Sequence, residues 1–187
     1  MILFEKLLAN VAKKPKFVHF EDELIKNICV TKWGENGRLS LEKAYQIKEL
    51  GLDFNGKTFG NFKELALFRS LKDDNKSVFM NSHFDTIQLP EGLKIAPHSM
   101  FRKSVGKRVI LPASIESLCE LIFHEALIDN IVILSDKVVN AQRYWCLLGM
   151  RVKGIYVQAH LVEEYKKTTP WSNYAKFIYP LNELSRL

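Results

Sequence analysis

Through the second half of the chain an aromatic residue is followed at a near-constant distance by a short apolar run. The units are Phe79 with Ile87-Gln88-Leu89-Pro90, Phe101 with Val109-Ile110-Leu111-Pro112, Phe123 with Val132-Ile133-Leu134-Ser135, and Trp145 with Ile155-Tyr156-Val157-Gln158. The third residue of each run steps by 22, 23 and 23 positions, from Leu89 to Leu111, Leu134 and Val157, and a further 23 from Ile155 reaches Ile178. A period in the low twenties predicts units of one short strand and a returning turn, each burying its apolar face only by stacking on its neighbours. Proline lacks an N–H and fixes its own φ, so Pro90 and Pro112 are expected where strands stop. Leu93, Ile95, Ile115 and Leu118 are expected to point inward from the returning segments, and Phe101, Phe123 and Trp145 to fill the core.

Upstream, the pattern changes to helical spacing. Phe20, Leu24 and Ile28, with Ile25 beside them and acids at Glu21, Asp22 and Glu23, predict a helix over 20–30. Glycines punctuate the turn at Trp33-Gly34-Glu35-Asn36-Gly37-Arg38, after which Ser40 is placed to cap a helix over 41–48. Leu50-Gly51-Leu52 reads as a strand, Asn55-Gly56 as a turn, and Phe62, Leu65 and Phe68 as one face of a helix over 61–71. Lys72-Asp73-Asp74-Asn75-Lys76 is a polar loop that leads into the periodic region. Residues 1–76 therefore read as a helical cap with a degenerate first unit, and 77–187 as the repeats with their closing segment, in one continuous domain.

Composition narrows the function classes. The 187 residues are 47% hydrophobic and 26% charged, ordinary for a globular domain, and no apolar run is long enough to span a bilayer. Glu5 and Lys6 interrupt the apolar start, so it predicts a short amphipathic helix ending before Pro15 and not a secretory signal. The net charge of +6 is spread over short, distant clusters, Lys13-Lys14-Pro15-Lys16, Arg102-Lys103 with Lys107-Arg108, and Lys166-Lys167. A nucleic-acid footprint needs a contiguous basic stripe, so that reading is only an alternative. Cys29, Cys119 and Cys146 have neither Cys-x-x-Cys spacing nor an even count, which argues against a disulfide framework and a zinc site. The five histidines are dispersed, and no Gly-x-Ser-x-Gly or His-Glu-x-x-His motif occurs. His124-Glu125 could pair a base with its orienting acid, but a surface pair at a turn is the plainer reading. No catalytic residue, cofactor or metal is expected.

The segment Leu111-Pro-Ala-Ser-Ile-Glu-Ser-Leu leading to Phe123 resembles the BspA-like leucine-rich repeats of bacterial cell-surface proteins. The run from Ile155 through Tyr165 and Trp171 to Tyr174 is similar to the ending of those proteins, and Trp33-Gly-Glu-Asn-Gly-Arg-Leu-Ser40 to their helical lead-in. The sequence departs from the family pattern at Leu134-Ser135, where the proline is missing. At Glu35-Asn36 the spaced aspartates of a calcium loop are also missing. The resemblance implies an α+β leucine-rich-repeat solenoid with a short-stranded sheet, a helical N-terminal cap and a closing segment over 165–174. It further implies a non-catalytic role in adhesion or surface interaction with a protein or glycan partner, at the cell surface or secreted, whereas the start of the chain itself suits the cytoplasm.

Candidate partner contacts are Gln88, Lys107, Arg108 and Lys153, residues that flank successive strands and would form a basic ladder. One stretch offers an enzymatic alternative. Residues 140–154, from Asn140 through Tyr144-Trp145 to Leu148-Gly149, resemble the late helix-strand segment of GNAT-type acetyltransferases, yet the glycine-rich pyrophosphate loop of that family has no counterpart in this chain.

Overall fold

A computed structural model describes residues 16–141 and 144–186. The amphipathic helix expected before Pro15 lies outside the described residues. Among the described residues nine strands pair in parallel, in two sheets. The larger sheet contains β1 (Asn61–Phe62), β2 (His83–Gln88), β4 (Val105–Leu111), β6 (Leu127–Ile133), β8 (Arg151–Val157) and β9 (Ile178–Pro180), adjacent in that order. The smaller is formed by three two-residue strands, β3 (Ile95–Ala96), β5 (Ser117–Leu118) and β7 (Asn140–Ala141). The described residues also form three short α-helices, α1 (Glu23–Trp33), α2 (Leu41–Gln46) and α3 (Val162–Lys167), and several 3-10 turns.

This arrangement corrects the α+β leucine-rich-repeat solenoid expected from the sequence. The fold is a mostly parallel α/β one, a six-stranded sheet with a three-stranded one and few helices. The apolar period marks where β2, β4, β6, β8 and β9 lie. It carries no information on the returns between them, where two-residue strands pair into a second sheet too short to leave a pattern of their own.

The register of the large sheet explains its core. Phe62, Ile87, Val109, Ile131, Ile155 and Ile178 are aligned across the six strands, and all are buried. Buried Ala96 and Leu118 of the small sheet belong to the same contiguous cluster. Beside them, Phe79, Phe101 and Phe123 form a stack with centroids 5.5 and 5.4 Å apart and interplanar angles of 13° and 8°. The backbone sets this spacing, since Phe79 N–H donates to Met100 O at 2.9 Å and Phe101 N–H to Ile122 O at 2.9 Å.

Trp145 does not continue the stack. It is 52% exposed, and Leu147 is buried in its place. Phe123 N–H donates to Cys146 O, so the residue equivalent to Phe123 in the next unit is Leu147, after a step of 24 rather than 22. Two extra residues before β8 carry the indole out of the core.

Helix α1 starts later than its apolar spacing suggests. Asp22 is its N-cap, with Oδ1 accepting from Ile25 N–H at 3.0 Å and Oδ2 accepting from Gly60 N–H at 2.7 Å. Phe20 therefore precedes the helix, and the buried face is Ile25 and Cys29 while Leu24 remains exposed. Ser40 caps α2 as expected from its sequence, its Oγ accepting from Lys43 N–H at 3.1 Å.

Phe62, Leu65 and Phe68 are all buried, but on β1, on a 3-10 turn over Lys63–Leu67 and at its C-cap rather than on an α-helix. Spacings of three and three match the three residues per turn of a 3-10 helix. No strand forms at 50–52, because Gly51 takes a φ of 71° and turns Leu52 into solvent. At the other end Tyr165 and Trp171 are buried, and both reach back to the chain after β6. Val139 N–H donates to Tyr165 Oη at 2.9 Å, and Trp171 Nε1 donates to Val139 O at 2.8 Å.

Candidate binding face of the large sheet

Strict alternation would place every second residue of a strand on the same face. The large sheet departs from it. Phe84 and Ile87 are both buried although three residues apart, which leaves two consecutive residues, Asp85 and Thr86, directed outward. The equivalent pairs on the following strands are Lys107-Arg108, Asp129-Asn130 and Lys153-Gly154. Two adjacent rows of side chains thus line the outer face, backed further along the strands by Gln88, Ile110, Val132 and Tyr156.

The first row alternates in charge. Lys107 pairs with Asp85 at 2.7 Å, and Lys153 with Asp129 at 2.9 Å. These ammonium groups are well exposed, so each pair contributes at most about 1 kcal/mol. Their effect on the surface is larger than on stability, because the ladder of cations expected at Lys107 and Lys153 is compensated by carboxylates one strand back. Lys94 with Glu116 and Lys103 with Glu125 repeat the arrangement elsewhere, at 3.0 and 3.4 Å.

The second row is Thr86, Arg108, Asn130 and Gly154, in register on four strands. Arg108 Nε and Asn130 Oδ1 are both shielded from solvent and have no hydrogen-bond partner. Gly154 is required by its neighbour, since a Cβ there would stand 2.5 Å from Cε2 of Tyr156. The Tyr156 ring lies over Gly154 and packs on Tyr179 with centroids 5.8 Å apart, closing one end of the face. Burial raises the pKa of the Tyr156 hydroxyl, Tyr179 and Glu183 add to the rise, and the nearby positive charge of Arg108 opposes it.

All four candidate contacts lie on this face, Lys107 and Lys153 in its charge-compensated row, Arg108 in the row beside it and Gln88 further along the strand. Asn130, Tyr156 and Thr86 were not singled out by sequence reasoning. The signal was present for Asn130, which follows Arg108 by one period of 22. A step of 24 to Gly154 hides the next member of the row.

Burial pushes up the Cys29 thiol, with Glu64 adding to it, and burial also raises Cys119 ahead of Asp73 and Glu120. Thiols shifted this way stay protonated at neutral pH and are poor nucleophiles. His124 Nδ1 stands 4.0 Å from Glu125 Oε1, too far for an orienting hydrogen bond. Among the described residues no group of three or more His, Cys, Asp or Glu could hold a metal ion. Among the described residues no helix is long and apolar enough to cross a membrane.

The stretch that resembles an acetyltransferase runs from β7 into β8. Strand β8 is hydrogen-bonded to β6 and β9 on its two sides. Beside Gly149 is a cavity of about 190 Å³ lined by Leu147, Leu148, Pro170, Asn173 and Tyr174. Ligand clefts generally begin at about 300 Å³. A wider cavity of about 600 Å³ adjoins α1 and α2, with Arg38 over the Phe17 ring at 5.2 Å. Its lining sets Glu35 and Glu42 against Arg38 and Lys43 and selects no charge. No protein-family model matches the sequence, and no curated protein matches it.

Proposed function

We propose that the chain is a non-catalytic binding module that takes a protein partner on the outer face of the six-stranded sheet. The observation that carries this reading is the pair of outward residues on each of four adjacent strands, Asp85-Thr86, Lys107-Arg108, Asp129-Asn130 and Lys153-Gly154, whose charged side chains stay exposed on the sheet. The half-buried Ile110 next to them adds apolar surface that loses water on contact. Parallel sheets are ordinarily covered on both faces, so the part of this face left exposed around Lys107 and Lys153 is a natural place for a partner. Adhesion or surface interaction, the role implied by the resemblance to BspA-like repeats, is of the same kind.

The test is selection from a displayed random peptide library on the immobilised full chain, followed by calorimetry of the selected peptides. Ile110→Lys places a charge in the middle of the face and should weaken the selected peptides by about tenfold or more. Failure to recover any binder, or affinities indifferent to Ile110→Lys, would contradict the proposal. Saturable binding of acetyl-CoA in the same calorimeter would favour the acetyltransferase-like alternative instead.

A further inference from the structure

We infer that the outer face of the large sheet takes a second copy of this chain, related to the first by a two-fold axis that runs parallel to the strands, midway between β4 and β6. This inference rests on the reading of that face as a partner surface and names the partner.

Two accessible rows cross the four long strands. His83, Val105, Leu127 and Arg151 are aligned in register and all exposed. Two residues further along, past buried Phe84, Gly106 and Ile128, come Asp85, Lys107, Asp129 and Lys153. Their side chains are 46, 71, 41 and 75% accessible, so a docking surface can reach all four. Val105 and Leu127 put an exposed apolar pair at the centre of the first row, with charged groups around it. An apolar centre within a polar rim is the usual layout of a protein interface.

The charges of the second row alternate. Read from β2 to β8 they run acid, base, acid, base, and read backwards they run base, acid, base, acid. A two-fold axis between β4 and β6 lays β4 of one copy over β6 of the other, and β2 over β8. Lys107 then faces Asp129 of the second copy, Asp85 faces Lys153, and Val105 faces Leu127, each contact made twice as an isologous interface requires. An axis along β4 itself would set Lys107 against its own copy and Asp85 against Asp129, which like-charge repulsion disfavours. The strand order leaves three strands on either side of the chosen axis. Asp85 and Asp129 already hold the Lys107 and Lys153 ammonium groups over this row, at 2.7 and 2.9 Å. In the pair of copies each ammonium lies between two carboxylates, a network that outweighs isolated surface pairs. At the ends of the first row His83 meets Arg151 at the rim, where solvent screens the contact.

Packed sheets stand about 10 Å apart with strands within about 30° of alignment, a gap that a lysine and an aspartate side chain span together. Six strands about 4.8 Å apart, each contributing about six residues, give at most on the order of 500 Å² per copy. Stable complexes bury about 800 Å² per partner, so this pairing is weak and reversible.

Sedimentation equilibrium of the full chain in about 0.15 M salt tests it, because a Debye length of about 8 Å screens the net charge of +6 but not groups in contact. The unmodified chain should dimerise reversibly with a Kd below about 1 mM. Lys107→Glu and Asp129→Lys should each weaken dimerisation by about tenfold or more, since each sets like charges together twice. Mixed in equal amounts, the two variants should pair with each other to within about threefold of the unmodified affinity, because both contacts between them are then of opposite charge. That recovery also requires both variants to be folded. Lys167→Glu, at an exposed position on α3, changes the net charge as much as Lys107→Glu and should leave dimerisation within about twofold. An unmodified chain that stays monomeric at about 1 mM, single variants that dimerise as well as it does, or a mixture no tighter than either variant alone would each overturn the inference. If library-selected peptides bind and respond to Ile110→Lys while the chain stays monomeric, the binding face stands and self-association alone is removed.

Discussion

Tyr165 and Trp171 tie the end of the chain to the segment after β6 through the two polar groups of a single residue, Val139. Burial pushes the Tyr165 hydroxyl up to about 12, a hydrogen bond from the Val139 backbone opposes the rise, and Glu164 adds to it. In an unfolded chain the group titrates near 10, so the folded protein holds this proton more tightly. The resulting stabilisation, of about 2 to 3 kcal/mol, is fully present below pH 10 and is lost as pH climbs through 12. Tyr165→Phe should therefore lower stability at pH 7 by about 1 to 3 kcal/mol, since Val139 N–H loses its acceptor, and should flatten the loss of stability between pH 10 and 12. Urea unfolding of both proteins across that range measures it, and parallel slopes would refute the assignment. Gly149 offers a second test at this scale. Its φ of 72° is in the left-handed region, and the nearest atom to an added Cβ is the flexible Glu125 Cγ at 3.3 Å. Gly149→Ala should cost about 1 to 2 kcal/mol, almost all of it conformational, as read by a shift in the unfolding midpoint at unchanged slope.

At the scale of elements, the aromatic stack is the part of the core most legible in the sequence. Phe79, Phe101 and Phe123 recur at an interval of 22, and each ring packs face to face on the next. Phe101 is in the middle and touches Phe84 as well, with centroids 5.9 Å apart. Phe101→Ala should destabilise by about 3 to 5 kcal/mol, more than the same change at Phe123, which the stack holds on one side only. Comparable losses at the two positions would show that the stack is not continuous. Where the reading of elements failed, the cause was a count displaced by one or two residues. Counting from Phe20 assigned α1 the wrong face because Asp22, not an earlier residue, begins the helix. Aligning Trp145 with Phe123 overlooked two added residues. Reading Phe62, Leu65 and Phe68 as α-helical found the right buried residues in the wrong element, because apolar spacing alone does not separate a 3-10 turn from a helix over so short a run.

Over the whole molecule, the period located five of the six strands in the large sheet and the prolines marked the ends of two of them, but the architecture was not legible. Strands of two residues, such as Ile95–Ala96 and Asn140–Ala141, leave no alternation, so the second parallel sheet had no trace in the sequence. The candidate face was half legible for a related reason. Gln88 and Arg108 could be picked out as polar residues flanking apolar runs, whereas two outward residues in succession on each strand break the period of two and conceal which lysines are compensated. Asp85 and Asp129 matter as much as the lysines, because they compensate Lys107 and Lys153 on the outer face. The central claim is that the partner occupies this face of the large sheet and not the small sheet opposite. Methyl-resolved NMR of the unmodified chain, titrated with a library-selected peptide, decides it. The account predicts saturable shifts at the methyls of Thr86, Ile110 and Val132 with little change at Ile95 and Val138, and shifts at Ile95 and Val138 with Thr86 and Ile110 unmoved would contradict it.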